Sequence, residues 1–182
     1  MKLLMHVCCA PCTAYPLTLL REEGLNPRGF FHNPNIHPFK EFKKRLQALD
    51  EFSRRMDFPV EAIREYGLKE YLRKVVFSED IRCGLCYEMR LRSTVIHARE
   101  IGADAFTTTL LYSKYQQHEK ICEIAGKLAE EFGVPFYYRD FRPGWQKGID
   151  LSREMGLYRQ PYCGCIYSEQ ERYDKSLRKK KP

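Results

Sequence analysis

Short apolar runs alternate along the chain with longer stretches whose apolar positions recur every three or four residues. Leu3 to Val7 is a compact apolar run that predicts a buried strand, and the segment Ala14 to Glu23 after it predicts a helix closed by Gly24. Arg28 to His32 predicts a second strand, which Asn33 and Pro34 break into a loop. Phe39, Phe42, Leu46, Leu49, Phe52 and Met56 recur at helical spacing, with Lys43, Lys44, Arg45, Arg54 and Arg55 mostly elsewhere on the wheel. The apolar stripe predicts a core-facing helix, and the basic positions predict a solvated face.

Pro59 to Ile63 gives a weak third strand, and Leu68 to Val76 a helix. Tyr87, Leu91, Val95 and Ala98 mark a helix ending near Gly102. Ala105 to Leu111 carries a β-branched run and predicts a fourth strand. Ile121, Ile124, Ala125, Leu128 and Phe132 line the next helix, capped by Gly133, and Val134 to Tyr138 predicts a fifth strand. This alternation predicts one α/β domain over residues 1–174, with a mostly parallel five-stranded sheet flanked by helices. Residues 175–182 form a basic tail of the solvated kind, able to brush phosphates. In such sheets ligands bind beyond the carboxyl ends of the strands. Cys8 and Cys9, His32 to His37, Tyr112 to Gln117 and Asp140 all follow predicted strands, so they are expected on one rim.

The chain has 182 residues, enough for one full core, and no apolar run approaches the ~20 residues of a membrane-spanning helix. The N-terminus shows no cleavable secretory pattern, so a cytoplasmic location is expected. Lys and Arg number 31 against 24 Asp and Glu, a net charge of +7 that favours polyanionic partners, nucleic acid first.

A reducing compartment changes how eight cysteines are read, because clustered thiols there more often bind metal than form disulfides. Seven of the eight fall into three groups: Cys8, Cys9 and Cys12; Cys83 and Cys86; Cys163 and Cys165. One Cys-x-x-Cys pair is also the spacing of a thiol–disulfide oxidoreductase. Three groups point to a metal centre, since close thiolates need a cation to offset their charge. Four thiolates suit zinc or an iron–sulfur cluster, and seven leave three for a separate mononuclear metal, with help from a carboxylate or water. The first group occupies the strand-to-helix turn where a phosphate loop would sit. Cys122 flanks an apolar stripe and is expected at the core edge.

Together these segments resemble the QueH family of cobalamin-independent epoxyqueuosine reductases. The matching stretches are His6-Val-Cys-Cys-Ala-Pro-Cys12, Phe31-His-Asn-Pro-Asn-Ile-His-Pro38, Arg82-Cys-Gly-Leu-Cys-Tyr-Glu-Met-Arg90, Thr107-Thr-Thr-Leu-Leu, Tyr115-Gln, Asp140-Phe-Arg-Pro-Gly-Trp145 and Gln160-Pro-Tyr-Cys-Gly-Cys165. The resemblance implies reduction of epoxyqueuosine to queuosine at the tRNA wobble position, the last step of queuosine synthesis. It implies iron–sulfur chemistry without cobalamin, and a Rossmann-like (HUP, or ATP-pyrophosphatase-like) fold. The phosphate loop of those relatives is replaced here by Cys8 to Cys12, which argues against ATP use.

That reaction removes an epoxide oxygen with two electrons and two protons, which no side chain supplies alone. A [4Fe–4S] cluster is expected on four thiolates drawn from Cys8, Cys9, Cys12, Cys83 and Cys86. The remaining thiolate, with Cys163 and Cys165, is expected to hold an additional mononuclear iron. Asp140 is a candidate catalytic residue, as iron ligand or proton donor, or else a partner of the neighbouring Arg139 or Arg142. Asn33, Asn35, Tyr115 and Gln116 are candidates for reading the modified base, and Tyr112 and Trp145 for stacking on it or for packing. His32 and His37 fit a hydrogen-bonding scaffold better than a ligand role. Lys and Arg on exposed helices and the tail are expected to meet the anticodon-stem phosphates of the partner tRNA. The sequence identifies no electron donor. A different class, a zinc-stabilised RNA-binding module without catalysis, fits the same cysteines.

Overall fold

A computed structural model describes residues 1–177. The elements run β1 (Leu3–His6), α1 (Ala10–Glu22), β2 (Arg28–Phe31), α2 (Phe39–Arg55), β3 (Val60–Ala62), α3 (Leu68–Val75), α4 (Arg82–Glu100), β4 (Ala105–Thr108), α5 (His118–Phe132), α6 (Trp145–Glu154) and α7 (Ile166–Tyr173). The strands are short and apolar, and β1 and β4 are buried along their whole length, as strands covered on both faces must be.

The sheet is entirely parallel, in the order β3-β2-β1-β4. It has four strands, where the sequence predicts five. The segment 134–138 runs beside β4 and makes one parallel bridge, Phe106 to Phe136. Phe106 N donates to the Pro135 carbonyl and Tyr137 N to the Phe106 carbonyl, at 3.0 and 2.7 Å. Pro135 has no N–H to extend the ladder, which explains why an edge segment of suitable composition stops at a bridge.

Other boundaries shift with reason. Helix α1 starts at Ala10 and not at Ala14, because Cys9 is its N-cap, accepting from Cys12 N at 3.3 Å, and Pro11 suits a first-turn position. The fourth strand ends at Thr108, where the Thr108 side chain accepts from Leu110 N at 3.1 Å and starts a 3₁₀ turn, Thr109–Tyr112. The tail from residue 178 lies outside the described residues.

The main apolar cluster joins Met5, Phe31 and Phe106 of the sheet to Leu17, Phe52, Leu91 and Ile121 of the helices. The α2 stripe is core from Phe42 to Phe52, with Phe42, Leu46, Leu49 and Phe52 buried, while Phe39 at its start is exposed against the expectation and Met56 past its end is partly buried. Arg45 departs from the predicted solvated face: it is 2% exposed, and Glu41 is buried beside it. A smaller cluster holds Tyr71, Val75, Cys86 and Cys165, so cysteines of α4 and of the loop before α7 pack together.

Candidate metal centre and nucleoside pocket

The turn after β1 delivers three thiols to one place. The sulfur atoms of Cys8, Cys9 and Cys12 all lie within 4.8 Å of one another. Thr109 at the end of β4 fixes this turn twice, accepting from Cys8 N at 2.9 Å and donating through Oγ1 to Cys8 Sγ at 3.1 Å. Gln160 Nε2 donates to Cys9 Sγ at 2.8 Å. Hydrogen bonds shared with Cys12 and Cys9 hold Cys8 well below the usual thiol range, and the same sharing with Cys8 and Cys9 pushes Cys12 up. Burial also pushes Cys9 up, so one thiolate is favoured at Cys8 and the two neighbouring sulfurs keep their protons.

The other four thiols gather separately. Cys83 and Cys86 sit in the first turns of α4, and Cys163 and Cys165 flank Gly164 just before α7. Each of Cys83 and Cys86 feels both Cys163 and Cys165 electrostatically. Burial pushes the Cys86 thiol up to about 12, against the pull of Arg90. The seven thiols are thus grouped three and four, with the four drawn from two distant segments. All eight cysteines are free, and Cys122 is a half-buried residue packed against the main core.

The Cys163-Gly164-Cys165 loop is held from α2. Arg45 donates from Nη1 to the Cys163 carbonyl at 2.7 Å and from Nη2 to the Tyr162 carbonyl at 3.0 Å. Its Nε pairs with Glu41 at 2.8 Å, and the second Glu41 oxygen accepts from Tyr158 at 2.6 Å. His37 N donates to the Gly164 carbonyl at 2.8 Å, and Tyr162 OH donates to the His37 carbonyl. A Cβ on Gly164 would lie 2.8 Å from Asn35 Nδ2, and its φ of +158° is one that side chains rarely adopt. Cys165 caps α7, accepting from Ser168 N at 3.4 Å, so thiols open both α1 and α7.

A cavity of about 610 Å³ reaches both thiol groups: Cys8 and Cys12 line it from one side and Cys163 from another. Its wall includes Tyr112, Tyr115, Gln116 and Trp145, four of the predicted nucleoside contacts. The Tyr112 and Trp145 rings lie 5.1 Å apart at 30°, and Tyr115 meets Trp145 edge-on at 5.6 Å. Tyr112 OH donates to the Trp145 carbonyl at 2.8 Å, and this close approach to α6 needs Gly148, whose Cβ would sit 2.2 Å from that hydroxyl. Gln116 Nε2 is 3.5 Å from Cys163 Sγ.

The remaining predicted site residues sit elsewhere. Asn33 and Asn35 are each 2% exposed, and Asn33 Nδ2 donates to the Val7 carbonyl at 2.8 Å, tying the loop after β2 to the end of β1. His37 Nε2 bonds the Pro34 carbonyl at 3.0 Å, a scaffold role. Asp140 is outside the cavity wall and is held by Arg142 through Nε at 2.9 Å and Nη2 at 2.8 Å. Four participants carried no predicted role at the site: Arg45, Arg90, Gln160 and Thr109. The Glu41–Arg45 spacing of four residues reads as a helix-surface pair and gives no signal that Arg45 is buried.

The sequence profile of the family described as epoxyqueuosine reductase QueH matches residues 3–171. The chain belongs to the QueH family. A relative from Dehalococcoides mccartyi, named epoxyqueuosine reductase QueH, is 40% identical over 174 residues, 96% of each chain. A QueH relative of the same name from Thermotoga maritima is 36% identical over 183 residues, covering 94% of this chain and 92% of its own. Among solved structures, a predicted subunit of tRNA methyltransferase from Methanocaldococcus jannaschii shares the fold, with a TM-score of 0.54 and 14% identity. It covers 84% of this chain and 75% of its own. Among the described residues no helix is long and apolar enough to cross a membrane.

Proposed function

We propose that this chain reduces epoxyqueuosine to queuosine at the tRNA wobble position, as a cytoplasmic, iron–sulfur-dependent and cobalamin-independent oxidoreductase. The observation that carries the reading is the convergence of two thiol groups and an aromatic wall on one cavity. The donor set suits iron: three sulfurs are clustered in one turn, and four more come from α4 and the loop before α7.

Cys8, Cys9 and Cys12 would hold one centre, and Cys83, Cys86, Cys163 and Cys165 the other. A [4Fe–4S] cluster fits the group of four and a mononuclear iron the group of three. When bound, such centres supply electrons singly and Lewis acidity toward an epoxide oxygen. Net, both epoxide C–O bonds break, a C=C bond forms, and two electrons and two protons carry the oxygen away as water. The chain's own residues do the rest. Gln160 and Gln116 present N–H donors to Cys9 and Cys163, which favours their thiolate forms. Tyr112, Tyr115 and Trp145 offer ring faces and edges to an anticodon-loop base turned out of its stack.

Anaerobic reconstitution with iron and sulfide, then reaction with tRNA carrying epoxyqueuosine and a strong reductant, tests the reading. Queuosine formed without cobalamin supports it. A fully loaded protein with no turnover overturns it. A colourless protein holding one tight zinc favours the non-catalytic RNA-binding module.

A further inference from the structure

Arg90 lies on α4 four residues beyond Cys86 and seven beyond Cys83, on the same helix face. It is 3% exposed, yet it borders the cavity between the two thiol groups. Its Nη1 is 3.8 Å from Cys86 Sγ. Its charge acts on Cys86, Cys8 and Cys163, which come from three separate segments. Among the described residues no carboxylate forms an ion pair with it. Its Nε is buried without a hydrogen-bond partner.

A buried guanidinium stays protonated and is strongly destabilising unless an anion compensates it. Here the facing groups are sulfurs, which are thiolates once they bind a metal. An unused buried N–H also calls for an acceptor, and cluster sulfides or thiolates are acceptors.

We propose that Arg90 is the shared counter-ion of the two thiol groups, a positioning residue whose fixed charge makes an iron–sulfur centre there easier to reduce. The proposal rests on the iron–sulfur reading above. Each electron added to a thiolate-bound centre increases its negative charge. A positive charge held nearby in a poorly screened interior therefore favours the reduced state. Net charge and hydrogen bonds to sulfur are established levers on cluster potentials. This position faces both groups at once, so one side chain biases both.

The test compares wild type with Arg90→Lys and Arg90→Met, all reconstituted anaerobically. Iron and sulfide content is measured first, then a potentiometric titration is followed by electron paramagnetic resonance. Loaded Arg90→Met is expected to be harder to reduce, with the reduced-to-oxidised ratio at a fixed poise falling about tenfold, or 59 mV for one electron. Arg90→Lys is expected to keep iron and stay within about threefold of wild type, since the charge is retained. If Arg90→Met loses iron while Arg90→Lys keeps it, the counter-ion role is also upheld. Arg90→Met with full iron and an unchanged ratio overturns the proposal and leaves the iron–sulfur reading intact. Loss of iron from both variants overturns it too, because packing and not charge is then what matters. A wild-type chain that takes up no iron removes the iron–sulfur reading and the proposal with it.

Discussion

Arg45 Nη1 reaches the carbonyl oxygen of Cys163 at 2.7 Å across 118 residues of sequence. A helix that contributes no thiol thereby fixes the loop that contributes two. The guanidinium is simultaneously paired with Glu41, and both are buried.

Arg45→Met is expected to destabilise the fold by roughly 3–5 kcal/mol, the usual effect of leaving one member of a buried pair alone. Arg45→Lys keeps the charge but loses the two-pronged contact, so iron content should fall while the fold survives. Urea unfolding and iron analysis check this. Full iron retention in Arg45→Met would show that the loop needs no such support.

Gly164→Ala inserts a methyl group 2.8 Å from Asn35 Nδ2 at a backbone angle that disfavours side chains. An overpacking effect of about 1–3 kcal/mol is expected, with loss of the four-thiol centre before the three-thiol one. Visible absorbance and iron stoichiometry after reconstitution report the outcome.

Trp145→Ala removes the ring that both Tyr112 and Tyr115 touch. Stacking contributes about 1–3 kcal/mol per base, so tRNA carrying epoxyqueuosine should bind about tenfold or more weakly, with iron content unchanged. Fluorescence anisotropy measures the affinity. The same titration in rising salt should show a steep loss for the wild type.

Burial pulls the His37 imidazole down to about 4 from its ordinary 6.5, although the Pro34 carbonyl bond opposes the shift. The unfolded chain therefore takes up a proton that the folded chain refuses. Stability is full above pH 6.5 and declines as pH falls toward 4, with a slope of up to about 1.4 kcal/mol per pH unit from this group. His37→Gln should flatten unfolding midpoints across that window by one proton's worth. An unchanged slope would place the acid sensitivity elsewhere.

The cysteine groups, the aromatic rim and the four strands of the sheet were readable because each is a local pattern. Strand-end placement then brought Cys8, Tyr112 and Gln116 to one cavity, as the alternation predicts. Arg45 was not readable as a core residue, since a Glu four residues before an Arg is the commonest surface arrangement. Only the distant segment 158–164 buries it. Asn33 follows a strand like the thiols, but its amide serves the Val7 carbonyl. Pro135 shows the same limit for the fifth strand: composition favours extension, while the missing donor ends the ladder.

Because Cys9 and Cys165 open α1 and α7, the sulfurs proposed as metal ligands are also helix caps. Fraying of either first turn scatters sulfurs, and oxidation of either sulfur loosens a helix. Mutations in those turns, or a brief exposure to air, should therefore look alike: colour and helicity would fade together, in the order the two ends come undone.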